Sequence, residues 1–279
     1  MQELISLPQI IGGFSSHCAD KATAFWQTLT DTVVHVDSLE AAELVKLINN
    51  SYRDLSFAFA NGLALLADRF NLDAARIIGA SNEGYPRNPI PKPSPGVGGY
   101  CLTKDPFLYA ALDREAVHSL LSCHGRTVNQ EAGRYPVQIL SRFAERLGRP
   151  LGGLSVLLVG MAFKGWPETN DLRGSTSVDV GRELVRQGCE VMSYDAVVDD
   201  EVIQALGIKP VELYEAANRC DALLILNNHP DNVPDGLIAR LQGRQTLLFD
   251  GWSQLNRYEV EQYDGIAYAT MGYMTPVKG

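Results

Sequence analysis

Cys101 stands where a thiolate would be useful. It follows Gly98 and Gly99 and lies just before the expected start of a helix, with Lys104 and Asp105 close after it. A helix amino-terminus and a nearby cation both favour the anion, so the setting suits a nucleophile. The plainer reading of a single cysteine is an inert buried thiol. Gly98 and Gly99 allow a ligand to approach the backbone closely, and Asp105 can serve as a base or hold a water. A second group lies upstream. Lys46 and Asn50 are four residues apart, so a helix projects both from one face, with Glu43, Arg53 and Asp54 nearby. That pattern is either a solvated stripe or a cation and an amide donor held to stabilise an oxyanion. A third group, Lys164 with the Asp171-Leu172-Arg173 segment, follows a buried strand, where it can meet a diphosphate or simply carry exposed loop charge.

The elements that must hold these residues change character along the chain. Leu7 to Gly13 reads as a short strand entering a Gly-Gly turn, followed by a helix from about Ala19 to Leu29. From Asp37, a possible cap with Glu40 three residues on, a helical pattern continues to about Arg69. Its second half, from Phe57 to Leu66, is apolar on every side and is expected to be buried all round, against a second subunit. A short helix from Asp73 to about Ala80 comes next. The stretch from Tyr85 to Cys101 then holds five prolines and three glycines in 17 residues, which forbids helix and sheet alike. Helix is expected again from about Lys104 to Leu147.

At Gly152 alternation begins. Strands are expected at Leu154 to Gly160, Glu190 to Tyr194, near Ala222 to Leu226 and near Thr246 to Asp250. Helices are expected at Ser175 to Gln187, near Val211 to Arg219 and near Gly236 to Leu241. Such alternation implies a parallel sheet wrapped by helices. The turn Gly160-Met161-Ala162-Phe163-Lys164-Gly165 is not a GxGxxG fingerprint and is a poor candidate for dinucleotide binding. The fold class is therefore α/β, with an all-α central domain followed by a Rossmann-like parallel α/β domain. The expected divisions are residues 1–36, 37–150 and 151–279.

Composition narrows the partners. The net charge of −9 comes with no basic stripe, which argues against a nucleic-acid surface. The longest apolar runs fall far short of the roughly 20 residues of a membrane span. Five scattered cysteines without a CxxC pair, and no secretory segment ahead of them, read as reduced thiols of a cytoplasmic protein, with no metal site expected.

Three segments resemble one family, the UDP-glucose, UDP-N-acetylmannosamine and GDP-mannose dehydrogenases. Gly96 to Pro106 resembles the catalytic-cysteine segment and Ala42 to Asn50 the central-helix motif. Gly160 to Lys164, with Asn170 to Ser175, resembles the opening of the UDP-binding domain. They stand in family order, and the Tyr85 to Gly96 stretch looks most like the branch acting on UDP-N-acetylhexosamines. The resemblance implies two-step oxidation of a UDP-sugar primary alcohol to the uronate. In it Cys101 is the nucleophile, Lys46 and Asn50 stabilise the oxyanion, and Asp105 assists water or proton transfer. Arg87, Gly98, Gly99, Tyr100, Lys104, Lys164 and Arg173 would contact the nucleotide-sugar, Arg87 across the interface of a homodimer formed through the helix from Asp37 to Arg69.

NAD is the implied hydride acceptor, held in the family by an amino-terminal domain of which only the strand Ile10 to Gly13 is recognisable here. The chain alone is accordingly expected not to reduce NAD, and a non-catalytic UDP-sugar-binding or dimerising module is the rival reading. Gly62 stands where the family usually has a glutamate. Gly251-Trp252 stands where an arginine or asparagine is common.

Overall fold

The computed structural model describes residues 5–275 apart from 114 and 116; the outermost residues of the first and third expected domains, 1–4 and 276–279, lie outside the described residues. The chain opens with strand β1 (Gln9–Gly12), helix α1 (Ser16–Trp26) and strand β2 (Val33–Val36). The two strands pair in parallel, Gln9 opposite Val33 and Gly12 opposite Val36. One strand and one helix were expected, so β2 is a correction: Val33-Val34-His35-Val36 is short, but a parallel partner fixes it. The helix opens earlier than its apolar pattern suggests because the Ser15 hydroxyl accepts the amide of Cys18 at 3.3 Å. No residue of α1 is buried.

Helix α2 (Leu39–Asp68) has 30 residues, about 45 Å of rise. Its cap is Ser38, whose hydroxyl accepts the Ala41 amide, not Asp37 as the spacing to Glu40 suggested. The second half, expected to be buried all round against a second subunit, is covered within one chain on one side only. Ala58, Ala60, Asn61, Ala64 and Ala67 are buried, whereas Phe59 and Leu66 face outward on the opposite side. Helix α3 (Ala74–Asn82) follows, capped by Asp73. After the proline-rich stretch come α4 (Tyr100–Ala111) and α5 (Val117–Arg146). Helix therefore resumes at Tyr100, earlier than the expected Lys104, and Cys101 sits inside the first turn.

The third region is an open, mostly parallel α/β sheet. In chain order it holds β3 (Ser155–Val159), α6 (Thr176–Arg186), β4 (Glu190–Tyr194), α7 (Asp200–Ala205), β5 (Lys209–Pro210), α8 (Leu213–Ala217), β6 (Ala222–Ile225), β7 (Thr246–Asp250), α9 (Arg257–Val260), β8 (Ile266–Thr270) and β9 (Tyr273–Met274). The spatial order is β5-β4-β3-β6-β7-β8-β9, parallel except for β9. The four expected strands form, while the helix expected near Gly236 to Leu241 is a single 3₁₀ turn, Ile238–Leu241.

Alternate strand residues serve two cores. Val156 and Leu158 pack with α5 and α6, and Leu157 and Val159 pack on the other face with Leu213, Leu241 and Val260. The first core does not stop at residue 150. Tyr135, Ile139, Leu140 and Phe143 of α5 lie in one apolar cluster with Leu158, Leu184, Phe249 and Met271. The helical and sheet regions are thus held in fixed relation, which allows a cleft between them to keep its shape.

Candidate active site

A cleft of about 510 Å³ lies between α2, the loop leading into α4, and the turns that follow β3, β6 and β7. Cys101 opens onto it and is exposed. Gly99 precedes α4 with φ of 89°, and no side chain caps the helix, so its amino-terminal dipole is left to act on a charge at Cys101. The other thiols differ in setting. Burial pushes the Cys189 thiol up, and that of Cys220 up to about 12, which leaves both inert at neutral pH.

Gly98 and Gly99 line the cleft, yet their closest neighbours are protein. A Cβ on Gly98 would meet the Gly174 carbonyl oxygen at 2.5 Å, and one on Gly99 the Phe163 ring at 2.8 Å. The glycines let the cysteine loop lie directly on the turns of the third region, a tighter constraint than room for a ligand. Tyr100 presents its ring on the same rim, with Lys104 Nζ 5.4 Å and the Arg173 guanidinium 5.6 Å from its centroid.

The long helix contributes Asn50, Arg53 and Phe57 to the cleft, one turn apart on one face. Asn50 donates from Nδ2 to Asp105 Oδ2 at 2.6 Å, tying α2 to α4 beneath the cysteine. Asp105 is fully buried and also pairs with Lys104. Burial pushes its pKa up, but hydrogen bonds from Lys104 and Asn50 and the nearby charges of Lys104 and Lys46 outweigh this, and the carboxyl is held below its ordinary value. An anion at Asp105 fixes the Asn50 amide and leaves its second N–H for another acceptor. Lys46 is exposed one turn from Asn50, outside the cleft lining. Lys104 is likewise outside it, turned to Asp105. Asp54, grouped by spacing with Asn50, is instead buried against Arg126.

The facing wall carries Lys164 and Arg173 from the turns after β3. Arg173 is exposed and meets Asp171 at 2.8 Å, so an anionic ligand competes with Asp171 for it. With Arg53, the cleft holds three cations against one carboxylate, a balance suited to a diphosphate. Arg87 is exposed and stands apart from this cleft within one chain.

Sequence reasoning missed Arg53 as a lining residue, although it is three positions from Asn50. It also missed Phe163, Trp166 and Asn228, and it noted Trp252 only as a departure from the family pattern. Asn228 follows β6 and accepts the amides of Gly165 and Trp166 at 2.9 and 3.2 Å, and Trp252 follows β7 and donates to the Leu226 carbonyl at 2.9 Å. The carboxyl ends of the strands were the available signal for both.

A larger cleft of about 810 Å³ lies behind the cysteine loop, between α5 and α6. It has Arg126, Arg134 and Arg186, with Asp179 and Glu183, but no cysteine, so a thiolate selects the smaller one. Neither βαβ unit offers a dinucleotide cradle among the described residues. In the third region Asp195, at the end of β4, accepts the amides of Met161 and Ala162 at 2.6 and 3.1 Å, which removes the carboxylate that would meet a ribose. In the first, the strand-to-helix turn Gly12-Gly13-Phe14-Ser15 is filled by protein, with a Gly12 Cβ meeting the Ser38 carbonyl at 2.0 Å.

Comparison with known proteins agrees with the layout. Residues 40–131 match the UDP-glucose/GDP-mannose dehydrogenase family, central domain, and residues 157–257 match the UDP binding domain of the same family. A UDP-N-acetyl-D-mannosamine dehydrogenase of Methanocaldococcus jannaschii is 28% identical over 231 residues, 83% of this chain and 50% of that protein. An NDP-N-acetyl-D-galactosaminuronic acid dehydrogenase of Ralstonia solanacearum is 28% identical over 82% of this chain and 52% of its own length. The chain thus spans about half the length of the curated relatives it matches. Among solved structures, a UDP-D-ManNAc dehydrogenase from Pyrococcus horikoshii superposes with a TM-score of 0.81 at 25% identity, over 97% of this chain and 61% of that one. With the cysteine loop, the long helix and the parallel sheet in this arrangement, and two family domains matched in order, the chain belongs to the UDP-glucose/GDP-mannose dehydrogenase family.

Proposed function

We propose that the chain carries the nucleophile and the nucleotide-sugar site of an NAD-dependent dehydrogenase that oxidises the primary alcohol of a UDP-sugar to the uronate. One observation carries this: the exposed Cys101 shares a cleft with Arg53, Lys164 and Arg173. The three cations receive the diphosphate, and the sugar extends toward the first turn of α4. At the aldehyde level the Cys101 thiolate adds to the carbonyl carbon and the π pair moves to oxygen, where the second N–H of Asn50 stabilises it and Lys46, one turn away and outside the cleft lining, adds only the field of its charge. At the thioester level water adds to the acyl carbon and the Cys101 thiolate departs, giving the acid. The whole conversion gives up two hydrides, and two molecules of NAD would supply the acceptors, one for each. The described residues do not fit its cradle, and no hydride step is assigned to any of them. The buried Asp105 anion serves by orienting Asn50.

The proline-rich stretch and the likeness to relatives named for N-acetylated sugars favour a UDP-N-acetylhexosamine as substrate, with Arg87 contacting it from a second subunit. The outward stripe Leu44, Ile48, Tyr52, Phe59 and Leu66 of α2 supplies a face for that homodimer. Light scattering at micromolar concentration is expected to give twice the chain mass, and a monomer would remove the dimer from this reading.

Alkylation at neutral pH, followed by mass spectrometry, tests the site. Cys101 is expected to react fastest of the five thiols and to be shielded by UDP-N-acetylglucosamine or UDP-glucose. If it labels no faster than Cys18, the nucleophile assignment fails. If it labels fast and neither sugar slows it, the substrate assignment fails.

A further inference from the structure

Behind Cys101 lies a polar network that touches neither the cleft cations nor any group assigned to the reaction. Asp54 of α2 and Arg126 of α5 meet at 2.6 Å, 72 residues apart in sequence, with 0% and 4% of their surfaces exposed. Asn129 donates from Nδ2 to the same Asp54 Oδ1 at 2.8 Å and to the Asp54 carbonyl at 3.0 Å. Its own Oδ1 accepts Asn61 Nδ2 at 2.9 Å. All four side chains belong to the two long helices, and among the described residues the network leaves them at two points. Asn61 Oδ1 accepts the Ser94 amide at 2.8 Å, and both terminal nitrogens of Arg126 approach the Val97 carbonyl at 3.4 Å. Both points lie in the loop that enters α4, whose first turn holds Cys101.

A sealed ion pair is a poor source of stability, because desolvating two charges offsets their attraction. This pair is also incompletely satisfied: Asp54 Oδ2 and Arg126 Nε have no hydrogen-bond partner among the described residues. An apolar pair of similar volume would fill the space between the helices at no greater cost. What an apolar pair cannot do is grip a carbonyl and an amide of an irregular loop with five prolines and three glycines in 17 residues, which has no regular hydrogen-bond ladder of its own. We infer that Asp54, Asn61, Arg126 and Asn129 are positioning residues, which set the cysteine loop against the long helices and thereby fix where Cys101 enters the cleft. The inference rests on the proposed function only for the use made of Cys101; the clamping of the loop stands apart from it.

The test compares the unaltered chain with a double variant, Asp54→Leu with Arg126→Met, which removes both charges together, and with Arg126→Lys, which keeps the charge but not the two-pronged reach. Hydrogen exchange of residues 94–99 is expected to speed up about tenfold in the double variant, as for loss of one hydrogen bond to a charged group. In the same protein the amides of β3 and β6 are expected to stay protected and the buried Cys189 and Cys220 to stay unlabelled, while the alkylation rate of Cys101 changes. Arg126→Lys is expected to fall between the two. Exchange unchanged in residues 94–99 of a folded double variant overturns the inference. So does faster exchange spread evenly over α2, α5 and the sheet, since that marks a purely structural pair. Should the double variant not fold, Arg126→Lys decides by the same two readings. Failure of the proposed function looks different: UDP-sugars then leave Cys101 labelling of the unaltered chain untouched, whatever the loop exchange shows.

Discussion

On the side of the cleft that carries Cys101, the supporting charges Asp54 and Arg126 are buried between two helices. On the facing side Asp171 and Arg173 meet at nearly the same distance, 2.8 Å, but the arginine side chain is 72% exposed. The contact distances of the two pairs are alike and their consequences are not. A sealed pair is formed once, on folding, and its loss leaves an unpaired charge in a low dielectric. An exposed pair is screened by water and can exchange partners, so Arg173 can leave Asp171 for a phosphate. The nucleophile is therefore carried on a preset frame, and the anion site on groups that rearrange when the ligand arrives.

The largest effect expected from this contrast is on stability. Asp54→Ala should lower the free energy of unfolding in urea by about 3–5 kcal/mol, because Arg126 is left buried and unpaired, whereas Asp171→Ala should lower it by less than about 1 kcal/mol. Similar losses in both variants would erase the distinction. Next comes ligand affinity. Arg173→Ala should weaken UDP-sugar binding about tenfold by calorimetry, the worth of one charge-assisted hydrogen bond. Asp171→Asn keeps an acceptor for the Arg173 amide, removes the competing charge, and should tighten binding; an unchanged dissociation constant in both would place the diphosphate elsewhere.

The smallest effect is on pH. The Asp105 carboxyl is held low in the folded chain by Lys104 and Asn50 against the opposing effect of burial. Its stabilisation is present above the unfolded value of about 3.9 and is lost as pH falls through the folded value. The difference in urea midpoint between the chain and Asp105→Asn should be constant near pH 7 and shrink below about pH 4. A difference that grows on acidification would show that the carboxyl is not held low.

How far the sequence reveals these two sides differs as well. Cys101 could be grouped with Asp105 by the Gly-rich loop before it, and Asn50 with Lys46 by the helix repeat, but only the family resemblance joined the two groups. Lys164 and Arg173 could be placed because they follow a strand whose apolar run is unmistakable, Leu154 to Val159. The Asp54–Arg126 pair was not legible, since only tertiary packing joins positions 72 residues apart, and the regular spacing from Asn50 pointed Asp54 to the wrong neighbours. Trp166, Asn228 and Trp252 come from three separate turns and share no local pattern. β2 was missed because four residues give too little alternation to count, and β9 because two residues give none. Apolar residues on every side of α2 identify a helix that wants partners, not which side its own chain covers.

The two ends of the seven-stranded sheet also bear on how the protein behaves when concentrated. At one end β5 is only Lys209–Pro210, and Pro210 has no amide hydrogen to offer a further strand. At the other, β9 turns back antiparallel and is pinned by its neighbours: the Met274 amide donates to Asn71 Oδ1 at 2.9 Å, and the Thr275 carbonyl accepts Arg146 at 3.0 Å. Both edges are thereby blunted against strand-to-strand stacking of one molecule on another.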